Sequence, residues 1–176
     1  SSQFEPEMYG WDPAPSAHHL CTALKDLVEP RSVLDVGCGV GAFLVEFIRL
    51  GIADVVGIDG PASLPVFQPS KHLFYPADIA APLSLERRFD LALCLEVGEH
   101  LHDSAAELLV ENLITHAPVV AFSAAHPGQG GQDHVNERWP VYWQRRFHQH
   151  GYVALDLLRG RLCEISEVAD FYRTNV

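Results

Sequence analysis

The 176 residues, 19.5 kDa, suit one domain with a sizeable core, since 48% of them are hydrophobic and 20% charged. Lys and Arg number 12 against 23 Asp and Glu, and the resulting charge of -11 repels a phosphate backbone, which argues against a nucleic-acid partner. Four scattered cysteines without a C-x-x-C pair suit a reducing cytoplasm; the chain shows neither a charged-then-apolar leader nor a run of ~18 apolar residues, so a cytoplasmic protein without a membrane partner is expected.

Residues 1–16 carry Pro6, Pro13 and Pro15 with Tyr9 and Trp11, and read as an N-terminal arm or lid on a single domain spanning 1–176. From Ser16 to Val28, Leu20, Ala23, Leu24, Leu27 and Val28 recur at helical spacing until Pro30 ends the pattern. Strand and helix signals then alternate: strand Ser32–Val36, helix Gly41–Leu50, strand Asp54–Ile58, a strand near His72–Tyr75 and an apolar strand Phe89–Leu95. Ser104 and Glu107 are spaced as a capping box for a helix running to about His116, Pro118 stops it, and Val119–Ser123 reads as another strand. Pro127, Gly128, Gly130 and Gly131 make 124–136 a long loop of the kind that carries function. Trp139–His150 reads as helix, Tyr152–Leu158 as strand, 164–170 as a short helical turn, and a last strand begins at Thr174. The rhythm is that of a mostly parallel α/β sheet.

The chemistry concentrates in Val33-Leu34-Asp35-Val36-Gly37-Cys38-Gly39-Val40-Gly41, a strand running through glycines into a helix. Glycines let a ligand approach the backbone, and the helix start offers unpaired N–H groups. Gly37, Gly39 and Ala42 also satisfy the dinucleotide pattern G-x-G-x-x-A, which keeps an NAD(P)-dependent oxidoreductase open at this point. Asp35 weighs against it, because a carboxylate there faces a pyrophosphate with the wrong charge and an ammonium with the right one.

Here the chain resembles the class I S-adenosylmethionine-dependent methyltransferases. Asp35, Gly37, Gly39 and Gly41 match their first motif, with Cys38 a small filler within the turn. Asp59, ending Val55-Val56-Gly57-Ile58-Asp59-Gly60, matches the acid that accepts the ribose hydroxyls; Asp78 and Ile79, after the third strand, match the adenine contact. Phe89 to Leu101 is similar to the F-D-x-h-x-x-x-E-V-x-E-H-h segment of small-molecule methyltransferases, in which h is apolar. Glu96 is thereby implied at the methionine end of the cofactor, with Glu99 and His100 beside the acceptor. Pro127–Asn136 with Tyr142-Trp143 resembles a branch carrying a P-G-Q-G-G-x-x-H-V-N loop.

The resemblance implies a Rossmann-like fold with helices on both faces of a seven-stranded sheet, the last strand short or truncated. It implies S-adenosylmethionine as cofactor, S-adenosylhomocysteine as product, and a small-molecule acceptor such as a sugar or secondary metabolite, methylated on oxygen. A non-catalytic cofactor-binding partner subunit is the other alternative. His134, on the loop over the carboxyl edge of the sheet, is the leading general base, with His100 and His126 as substitutes and Glu99 in support. No metal is expected: His18-His19 and His148-x-His150 do not share a helix face, and no His pair at i, i+4 stands beside a carboxylate. Tyr9, Trp11, Trp139, Tyr142 and Trp143 are candidates for an aromatic lid.

Overall fold

A computed structural model describes residues 13–176. Five strands, all parallel, form one sheet: β1 (Ser32–Val36), β2 (Asp54–Asp59), β3 (Phe74–Pro76), β4 (Leu91–Leu95) and β5 (Val120–Ser123), in the order β3-β2-β1-β4-β5. Every residue of β1 and β4 is buried, as central strands covered on both faces must be. The strand order reverses between them: the chain leaves β1 toward β2 and β3 and returns to β4 and β5 on the other side. In such sheets the crevice beyond the carboxyl ends at this reversal is where ligands bind.

Alternation along β1 sends Val33 to one face and Leu34 and Val36 to the other. The first face packs on α1 (Ala14–Val28) and α2 (Ala42–Arg49), and on Leu162 of α5 (Arg159–Leu162) and Tyr172 of α6 (Asp170–Asn175). The second packs on α3 (Ala106–His116) and on Trp143 of α4 (Pro140–Gln149). The periodicity of Leu20, Ala23 and Leu24 buries one side of α1, which ends where Glu29 turns left-handed (φ 49°) ahead of Pro30.

Several expectations need correction. Among the described residues the sheet has five strands, not seven. Tyr152–Leu158 has the alternation of a strand but forms no ladder, and its apolar residues Val153 and Leu155 are more than 70% exposed. Its first residue is drawn elsewhere, the Tyr152 hydroxyl donating to the Ala117 carbonyl at 2.6 Å. Helix α6 occupies the place of the strand expected at Thr174, whose hydroxyl donates to the Asp170 carbonyl at 2.9 Å as a helical residue can. The turn expected at 164–170 is flanked by α5 and α6 instead of being a helix itself. The capping box is not made: Ser104 lies in a 3-10 turn, Ala105 holds the cap position, and Glu107 pairs with His150 and Arg146. Of the expected arm, residues 1–12 lie outside the described residues, while Ala14 already begins α1.

Trp143 fastens α4 to the sheet. Its ring is tilted against Phe122 with centroids 5.0 Å apart, and it lies so close to Gly98 that a Cβ there would fall 2.6 Å from it. Trp143→Ala should cost about 3–5 kcal/mol, read as a lowered urea midpoint with an unchanged slope.

Candidate active site

The glycine turn after β1 is built on positive φ: 81° at Gly37, 50° at Gly39 and 79° at Gly41. Only glycine adopts this conformation without strain, and at Gly41 a Cβ would also fall 2.7 Å from Phe67 and Pro69. The Gly37 and Cys38 amides donate to the Ile58 carbonyl at 2.8 and 3.1 Å, tying the turn to the end of β2. Asp59 completes the tie: its Oδ2 accepts the Gly39 amide at 2.7 Å and its Oδ1 the Gly60 amide at 2.6 Å. The Ser63 side chain also hydrogen-bonds this carboxylate. The Cys38 thiol is buried, and a Cβ on Gly57 would reach it at 2.8 Å, so it fills space under the turn.

Asp35 is 2% exposed, and its Oδ2 has no hydrogen-bond partner. Burial, with the charge of Asp59 adding to it, pushes its pKa up to about 8. A carboxylate placed so is an anion lacking its cation. Burial also raises the Asp59 pKa, opposed by the amides of Gly39 and Gly60. Asp78 stands apart: it is exposed, two residues past β3, and its Oδ1 accepts the Ala80 amide at 2.9 Å. Ile79 beside it is half-buried against the α3 face.

At the end of β4 the chain turns through Glu96 with φ 55°, a left-handed conformation unfavourable for glutamate. Its amide donates to both the carbonyl and the hydroxyl of Ser123 at 3.1 Å. Its carboxylate receives Gln129 Nε2 at 2.9 Å and Asn175 Nδ2 at 3.1 Å, while Asn175 also donates to Gln129 at 2.8 Å. Helix α6 therefore lies against the acids of the site; burial lifts the hydroxyl pKa of its Tyr172, with Glu96, Asp35 and Glu99 adding. Sequence reading missed Gln129 and Asn175, because nothing in their spacing joins them to residue 96.

The strand's turn carries on into Gly98–His100, where Glu99 is fully buried and neither of its oxygens has a hydrogen-bond partner. Burial raises its pKa to about 8, Glu96 adding to the effect while the nearby amides of Glu99 and Ala125 oppose it. The His100 and His134 rings meet edge to face, 4.9 Å between centroids. Burial, and then His134, lowers the His100 pKa, against a backbone hydrogen bond to Asp133. One ligand atom from each of Glu99, His100 and His134 lies within 4.8 Å of the others. A buried carboxylate beside two imidazoles is a donor set that fits a divalent cation. The expectation of no metal rested on helical spacing, whereas the fold joins a loop histidine to residues 35 and 34 positions earlier in the chain.

The loop is tied in by its backbone, the amides of Val135 and Asn136 donating to the Glu99 carbonyl at 2.9 and 3.0 Å. His126 instead stacks on Trp139, with ring centroids 5.8 Å apart. Of the expected aromatic lid, Trp143 is core and Tyr142 donates to Asp103 at 2.5 Å; Trp139 is 60% exposed, and Tyr9 and Trp11 lie outside the described residues.

A family model described as a methyltransferase domain matches residues 8–159, and the chain belongs to that family. A particular relative, the ubiquinone biosynthesis O-methyltransferase of Bradyrhizobium sp. (strain ORS 278), is 37% identical over 82 residues, 43% of this chain and 32% of the relative. The matched stretch thus spans about a third of the length of such curated relatives. Among solved structures, the methyltransferase domain of bacterial CtHen1-CN superposes with a TM-score of 0.62 at 17% identity, covering 80% of this chain and 87% of that one. Human N-acetylserotonin methyltransferase in complex with S-adenosylmethionine gives 0.58 at 19%, covering 77% and 46%. Streptomyces venezuelae DesVI gives 0.55 at 22%, covering 71% and 56%. These likenesses share the fold, and the family sets the oxidoreductase alternative aside.

A sign follows for Asp35. Its folded pKa of about 8 lies above the ordinary 3.8, so between these values the native state holds a proton that the unfolded chain gives up. Stability should therefore fall as pH rises from about 4 to about 8, by an amount on the order of a few kcal/mol. Asp35→Asn should flatten that slope and raise the melting temperature above pH 8, as seen by calorimetry across the range.

Proposed function

We propose that this chain is the catalytic core of an S-adenosylmethionine-dependent O-methyltransferase acting on the hydroxyl of a small molecule, with a divalent cation at the acceptor side. Asp35, Gly37, Cys38, Gly39, Gly41, Asp59 and Gly60, brought together at the carboxyl ends of β1 and β2, form the cofactor cradle. Asp35, with its unpartnered oxygen, meets the ammonium, and Asp59 meets the ribose hydroxyls. Asp78 and Ile79 stand at the adenine end and Glu96 at the methionine end.

The observation that carries the acceptor half is Glu99, wholly enclosed, both oxygens without a partner, against His100 and His134. These three side chains would hold the cation, which when bound supplies positive charge that lowers the pKa of an acceptor hydroxyl. Bound S-adenosylmethionine would supply the activated methyl group, and the proton of the acceptor hydroxyl would pass to solvent. His134 thereby acts by holding charge in place, not as the general base expected from the sequence. Asp35 gives up its proton on binding: a bound ammonium supplies the cation its carboxylate lacks, so below pH 8 binding releases a proton. The charge of -11 and the compact site suit a small acceptor better than nucleic acid.

Titration calorimetry should show binding of S-adenosylmethionine and none of NAD, with Asp35→Asn losing the former. Stripping the protein with a chelator should lower methyl transfer at least about tenfold and leave cofactor affinity intact, and Mg2+ or Mn2+ should restore it. Glu99→Gln should reproduce the stripped state. Full transfer by the stripped protein would overturn the cation; binding of NAD in place of S-adenosylmethionine would overturn the whole reading.

A further inference from the structure

Glu137 was no part of any motif, yet it makes three contacts with the loop that carries His134. Its Oε1 accepts the Gly130 amide at 2.8 Å and faces His134 Nδ1 at 3.1 Å, and its Oε2 accepts the Gly128 amide at 2.8 Å. We infer that Glu137 is the positioning residue of the acceptor site: one carboxylate that shapes the glycine loop and fixes the ring and tautomer of His134. The inference rests on the reading of His134 as a ligand.

The chemistry follows from what a carboxylate can do. It accepts and does not donate, so the ring nitrogen facing it carries the proton, and Nε2 is left with its lone pair. Ligand histidines are commonly held this way, by a carboxylate on the nitrogen that does not bind the ion. Two amide donors keep Glu137 in place, so it is not a mobile surface acid that happens to meet an imidazole. Gly131 packs against the same ring, since a Cβ there would collide with its Cε1 and Nε2. The ring is thus bounded by a carboxylate and a bare backbone. Glycines at 128, 130 and 131 are required by this wrapping, since φ is 89° at Gly128 and 71° at Gly130 where their amides turn in toward Glu137.

The base of the loop closes without Glu137. Val135 and Asn136 donate to the Glu99 carbonyl, the Arg138 amide donates to the Ala125 carbonyl at 3.1 Å, and Arg138 Nε donates to Asn136 Oδ1 at 2.8 Å. A role in orienting the ring is therefore separable from a role in holding the loop.

Glu137→Gln in the full chain keeps size and removes the charge and one of the two acceptor atoms. The probe is Co2+, followed by its visible absorption and by calorimetry, alongside long-range 15N–1H spectra of His134. The wild type should show the Nδ1–H tautomer, and the variant should lose it and bind Co2+ about 10–100-fold more weakly. Cofactor affinity and melting temperature should stay unchanged. A variant with wild-type tautomer and Co2+ affinity overturns the proposal, and so does a parallel loss of cofactor affinity and melting temperature, which would make Glu137 a brace for the loop. If the wild type itself binds no Co2+, the cation reading fails, and the tautomer spectra alone then decide the part played by Glu137.

Discussion

The structure depends on a carboxylate that water does not reach. Asp35 closes the central strand of the sheet with one oxygen unpartnered, in a place where an ionised acid is expensive and a neutral one is wasted. Everything around it serves to keep that cost local. Parallel ladders to β2 and β4 fix its backbone, through Asp35↔Gly57 and Asp35↔Leu93. The glycine turn brings Asp59 close enough to raise its pKa further, and a bound ammonium would relieve both acids at once.

The same device recurs on the acceptor side. Glu99, like Asp35, is a buried acid pushed to about 8, and it too stands beside groups arranged to receive a positive charge. Asp35 lies on β1 and Glu99 beyond the strained turn at Glu96 that ends β4, a turn that Ser123 secures through both its carbonyl and its hydroxyl. Two buried acids whose ionisation burial opposes lower the stability of the fold as pH rises through the range in which the unfolded chain has lost those protons.

Much of this was legible in the sequence where the chain is regular or where local rules govern it. The β1 turn, the acid ending β2 and the segment after β4 are short contiguous motifs, and it is through them that the family resemblance implied residues 35 to 41, 59 and 96 to 100 at one edge of the sheet. The strands that failed were those whose pairing depends on a neighbour: Tyr152–Leu158 has the alternation of a strand and finds no ladder. The capping box at Ser104 failed for a related reason, since Glu107 is drawn to Arg146 of α4 and to His150 just past its end.

By itself the sequence determined the α/β rhythm and the glycine turn, because those follow from hydrophobic periodicity and backbone sterics within short stretches. Only the tertiary structure decided which groups meet: His134 with Glu99 and His100, Glu137 with His134, and Asn175 with Gln129 on Glu96. Their separations in sequence run from 3 to 79 residues with no common period. The folding of a loop and a terminal helix over the sheet, not any local pattern, brings them together.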